Sequence, residues 1–159
     1  MTTQAEPEVH GRASVTINRL MDAPVDLMWK VWTEPKHLAA WWGPRMFDAP
    51  VCKVDLRVGG RMYILMRGPG DFEHGAEAIF EAVEPPNRLV WTMDAVSLSG
   101  EVQLRTRTTV TMRDEGGKTR LIVESGGYGL VPEAVQMLAG MEMGWNQSID
   151  KLAEHLAST

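Results

Sequence analysis

PEAVQMLAGMEMGWNQSIDKLAEHL, residues 132–156, is the stretch on which the fold turns. Its apolar side chains fall at Val135, Leu138, Met141, Trp145, Ile149, Leu152 and Leu156, steps of three or four that lie along one face of a helix. At 3.6 residues per turn the run makes about seven turns. It therefore predicts a long amphipathic helix whose apolar face needs a surface to cover it. Gly140 and Gly144 each cost such a helix roughly 1 kcal/mol relative to Ala, so the sheet or a ligand is expected to approach the backbone closely there.

The covering surface is written upstream. VCKVDLRV (51–58), RMYILMR (61–67), HGAEAIFEAV (74–83), RLVWTM (88–93), TRTTVTMR (106–113) and TRLIVES (119–125) read as strands. Between them stand Gly59-Gly60, Gly68-Pro69-Gly70-Asp71, Pro85-Pro86-Asn87 and Glu115-Gly116-Gly117, which supply the backbone angles that reversals demand. Connections this short imply antiparallel neighbours. Ala95–Gln103 reads either as a long loop or as a weak strand.

Before these strands the period changes twice. SVTINRL (14–20) alternates as a first strand and ends at Asp22-Ala23-Pro24. VDLMWKVWT (25–33) places Val25, Met28, Trp29 and Trp32 at helical spacing, with Pro24 suited to a first turn. Pro35 breaks that helix, and KHLAAWW (36–42) predicts a second short one. Residues 1–12 carry no periodicity and are expected to be a mobile lead, which leaves 13–159 as one α+β domain, a bent antiparallel sheet wrapped around the C-terminal helix.

Composition narrows the function classes. Sixteen basic against twenty-one acidic residues give a charge of -5, the wrong sign for holding polyphosphate by counterion release, so nucleic acid is not expected as a partner. The longest apolar runs, such as Leu89–Trp91, fall far short of the roughly 20 residues of a spanning helix, and no membrane span is expected. The polar N-terminus lacks a signal core and Cys52 is alone, so a reducing cytoplasm is the expected compartment.

His10, His37, His74 and His155 fall in unrelated elements without zinc-type spacing, and neither a metal nor another cofactor is called for. The glycine pairs lack a phosphate-loop pattern, and Ser125-Gly126-Gly127 lacks the flanking glycine of a nucleophile elbow. No catalytic residue is assigned.

Alternation predicts which side chains face inward. Met62, Ile64 and Met66 share a face opposite Arg61, Tyr63 and Arg67, while Leu89, Trp91 and Met93 share another. Ala76, Ala78 and Phe80 would leave room for a ligand, and Met137, Met141 and Trp145 on the long helix would form the opposite wall, with Glu142 their nearest polar neighbour. Adjacent indoles cannot point the same way, so one of Trp41 and Trp42 is expected to anchor the core; the other lines the pocket entrance or packs as well. The methionines suit either an adaptable pocket wall or an irregular core. His74, opening a strand across from Arg67, is expected at the cavity mouth. Any reaction would draw on Arg67, His74, Arg107, Tyr128 and Glu142.

The order of elements resembles the helix-grip architecture of the START-like superfamily, also called SRPBCC. DAPVDLMWKVWTEPKHLAAWWGP (22–44), DLRVGGRMYILMRGPG (55–70), PPNRLVWTM (85–93), GGKTRLIVES (116–125) and GWNQSIDKLAEHL (144–156) together resemble the bacterial family named for activators of the heat-shock-protein-90 ATPase. The likeness runs from Ser14 to Leu156. It implies a cavity between sheet and helix that takes a small hydrophobic or amphipathic molecule, and non-catalytic binding is the leading expectation. A small enzyme of cyclase, aromatase or hydrolase type and a stress-related chaperone accessory are the alternatives. A homodimer and a chaperone stay open as partners.

Overall fold

A computed structural model describes residues 8–159. Its elements are β1 (Arg12–Met21), α1 (Val25–Thr33), α2 (Pro35–Trp41), β2 (Asp48–Val54), β3 (Arg61–Gly68), a 3-10 turn at Pro69–Asp71, β4 (Phe72–Glu84), β5 (Arg88–Val96), β6 (Val102–Glu115), β7 (Lys118–Gly129), α3 (Ala134–Ala139) and α4 (Met141–Ala157). The seven strands form one antiparallel sheet in the order β1-β7-β6-β5-β4-β3-β2. From β2 to β7 every strand pairs with its sequence neighbour, as short turns require. Strands β1 and β2 alone are consecutive in sequence yet lie at opposite edges, so α1 and α2 carry the chain across the sheet.

This crossing supplies one side of the core. Met28, Val31 and Trp32 of α1 and Leu38 and Trp41 of α2 are buried against Met62 and Ile64 of β3, Leu89 and Trp91 of β5, Val110 and Met112 of β6, and Leu121 and Val123 of β7. Helix α4 closes it with Ile149, Leu152 and Leu156 and packs against β1 and α2. The helix therefore lies in the hollow of a curved α+β sheet, the helix-grip arrangement.

Four details depart from the sequence reading, and the open reading of Ala95–Gln103 is resolved. The terminal run is two helices, because Gly140, at φ -90° and ψ 0°, caps α3 and starts α4; the apolar stripe stays in phase across a one-residue break, which hides it. The close approach expected along this run is not seen: a side chain at Gly144 would meet only Pro44 of the loop, at an ordinary contact distance of 3.6 Å, and one at Gly140 only carbonyl oxygens of α3. Ala95–Gln103 resolves into the end of β5, a tight turn with Gly100 at φ +89°, and the start of β6. His74 lies across from Met66, and it is Glu73 that faces Arg67, a one-residue difference set by the turn at Pro69–Asp71. Of the expected lead, residues 1–7 lie outside the described residues, while Arg12 already belongs to β1 and His10 and Gly11 are hydrogen-bonded to Gly129.

Candidate functional site

Strand alternation grades the concave face of the sheet from large to small. At one level Phe80, Trp91, Thr108 and Ser125 lie side by side across four strands; two residues along come Ala78, Met93 and Thr106, and two further Ala76, Ala95 and Leu104. The bulky row fills the space beneath the helices. The row of alanines does not, and a cavity of about 350 Å³ opens over it. Its roof is Met137, Gly140, Met141, Gly144, Trp145 and Ser148 from α3 and α4, and its side is the loop Trp42–Phe47. Phe72, 46% exposed, stands at the rim.

The loop wall is tied to α4 from below. Lys151 Nζ lies 3.1 Å from the carbonyl oxygen of Gly43, 3.3 Å from that of Trp42 and 3.4 Å from those of Pro44 and Phe47. Burial, then the nearby Arg45 charge, lowers its ammonium pKa from the ordinary lysine value. Arg45 donates to Glu154 at 2.6 Å, and the His37 and His155 rings of α2 and α4 meet nitrogen to nitrogen at 3.0 Å. Behind the wall, Trp32 and Trp91 pack against Trp42 and Trp145, which line the cavity.

Polar atoms on the cavity surface are few and mostly paired. His74, 5% exposed, places Nε2 2.7 Å from Gln103 Oε1 and stacks on Phe72 with centroids 5.7 Å apart. The Thr108 and Ser125 hydroxyls are 2.7 Å apart, and Ser148 donates to the Gly144 carbonyl. Among the described residues that line the cavity, His74 is the only titratable one.

A family model described as Activator of Hsp90 ATPase homolog 1-like protein matches residues 22–157. The chain belongs to that family. Among solved structures it is similar to a protein from Arthrobacter aurescens, with 26% identity and a TM-score of 0.79 over 92% of this chain and 87% of that one. A protein from Nitrosomonas europaea matches at 24% identity and TM-score 0.74 over 92% and 95% of the two chains. An AHSA1 protein from Silicibacter pomeroyi matches at 20% and 0.74 over 91% and 98%, a likeness of fold. No curated protein matches the sequence.

Within this Activator of Hsp90 ATPase homolog 1-like domain, the expected ligand contacts divide by depth. Trp42, Met66, His74, Ala76, Met93, Met137, Met141 and Trp145 line the cavity. Trp41, Met62, Ile64, Ala78, Phe80 and Trp91 lie below it in the packed core, where Trp41 Nε1 donates to the Val31 carbonyl at 2.9 Å. Glu142 is exposed and does not reach the cavity, because the helix has turned away one residue past Met141. Arg67 bonds Asp48, Arg107 bonds Glu81, and the Tyr128 ring carries the Arg12 guanidinium 5.5 Å from its centroid; none of these three lines the cavity with His74.

Sequence reasoning missed Gln103, Thr106, Thr108 and Ser125. The signal for the last three was present: Thr106 and Thr108 share the parity of Val110 and Met112, and Ser125 that of Leu121 and Val123. Gln103 had none, since it sits beside an irregularity in the β5–β6 register.

Proposed function

We propose that this domain binds a small uncharged molecule, apolar or amphipathic, between its sheet and its C-terminal helices, without transforming it. The cavity wall carries this reading: it is built mostly from methionine, tryptophan, phenylalanine, leucine and alanine, and among the described residues that line it no carboxylate, lysine or arginine stands ready to pair with a charged ligand. Its volume falls at the small end of the roughly 300–1,000 Å³ typical of ligand pockets. Affinity would come from apolar burial at about 25 cal/mol per Å².

Catalysis by paired ionisable groups has less support, because His74 has no acidic or basic neighbour in the wall. A chaperone-docking surface has less as well: the large exposed apolar side chains, among them Leu20 of β1, Met46 and Val58 in loops, Ile79 of β4, Leu98 in the β5–β6 turn and Met143 of α4, are spread over different parts of the chain. Among the described residues no helix is long and apolar enough to cross a membrane. Cytoplasmic residence suits the half-buried Cys52, whose thiol pKa burial pushes up to about 11 and which has no second cysteine to pair with.

Thermal-shift and native mass-spectrometry screens with uncharged and anionic amphiphiles test the proposal. Uncharged compounds of matching size are expected to raise the Tm and appear as a one-to-one adduct. A complete absence of bound species, or a preference for anions, counts against it.

A further inference from the structure

The His74–Gln103 pair goes further, on the understanding that the cavity binds a ligand at all. A carbonyl oxygen only accepts, so with Gln103 Oε1 2.7 Å from His74 Nε2 the hydrogen between them belongs to the imidazole. A neutral imidazole carries a single N–H, and spending it on Gln103 leaves Nδ1 as a bare acceptor. No described residue hydrogen-bonds Nδ1. The only fully enclosed side-chain polar atoms without a partner, among the described residues, are the indole nitrogens of Trp32 and Trp91, so Nδ1 is not sealed off, and its residue is part of the cavity lining. Stacking on Phe72 fixes the ring plane, and burial of the residue removes bulk water as a competitor.

We propose that His74 is a specificity-determining residue which, held in its Nε2–H tautomer by Gln103, accepts a hydrogen bond from the ligand. The ligand class is thereby narrowed to uncharged molecules that bring a hydroxyl or N–H donor on an apolar body. A molecule that ends in an ether or a ketone leaves Nδ1 unpaired, and a carboxylate sets charge against lone pair.

Two probes of nearly equal shape separate these cases: 2-naphthol, a donor, and 2-methoxynaphthalene, which has none. By calorimetric titration the wild type is expected to bind 2-naphthol about tenfold more tightly, the size of one net hydrogen bond. His74→Phe is expected to bring the ratio of the two affinities to about one, and Gln103→Leu to lower it by releasing the tautomer. Long-range proton–nitrogen NMR on the wild type should show His74 protonated at Nε2, a readout that needs neither variant to fold. Equal affinities in the wild type, a ratio that survives His74→Phe, or an Nδ1-protonated ring overturns the assignment while leaving cavity binding intact. Failure of both probes to bind removes the cavity reading and this inference with it.

Discussion

One imidazole pair gives this domain a dependence on pH. His37 and His155 share a hydrogen bond at 3.0 Å, which requires at least one of them to be neutral. Burial first, and the His37 charge second, hold the His155 pKa below its ordinary 6.5. The charged side chains in the groove that His155 lines are already engaged, Glu154 with Arg45 and Lys151 with four carbonyl oxygens, while Glu34 and Lys36 flank His37 on its own segment. A histidine whose folded pKa is depressed contributes stability that is whole above 6.5 and disappears as the pH falls through the folded value. The urea midpoint is therefore expected to fall between about pH 7 and pH 5, and His155→Gln to flatten that slope. An unchanged slope in the variant would assign the effect to other groups.

At the scale of elements, the C-terminal helix and the WWGP loop act as one wall because Lys151 joins them. Of the four carbonyls its ammonium serves, Pro44 also accepts from the Phe47 N–H, so Lys151→Met leaves the other acceptors without this donor while keeping the bulk of the side chain. The expected cost is about 1–3 kcal/mol by denaturant unfolding. Faster amide exchange should appear at Gly43–Phe47 before it appears in the sheet, and a variant as stable as the wild type would refute the clamp. The elements themselves were legible in the sequence wherever burial imposes a period. The alternation of Met62, Ile64 and Met66, or of Leu121 and Val123, survives into the structure because one face of each strand is core. The break at Gly140 was not legible, since Leu138 and Met141 keep helical spacing across it. Nor was the carbonyl cage of Lys151, which depends on contacts more than a hundred residues apart.

For the whole molecule, the sequence told which residues face inward but not how deep they lie. Ala76 and Ala78 illustrate the gap: both are small, both are inward and both are buried, yet Ala76 lines the cavity and Ala78 lies in packed core. Depth is set by topology, because α1 and α2 cross the sheet at one end and leave the other to be roofed by the α3–α4 junction. The two alanines should therefore answer the same substitution in opposite ways. Ala78→Leu forces extra atoms between Met62, Met93 and the helices, and overpacking of this kind costs about 1–3 kcal/mol. Ala76→Leu has empty space to enter; it is expected to leave the Tm unchanged or raised and to abolish the thermal-shift response to uncharged amphiphiles. Equal destabilisation by both would mean that the space over Ala76 closes in solution. A ligand response that survives Ala76→Leu would place binding elsewhere on the molecule, because a side chain of that size at that position occupies the volume on which the proposed function depends.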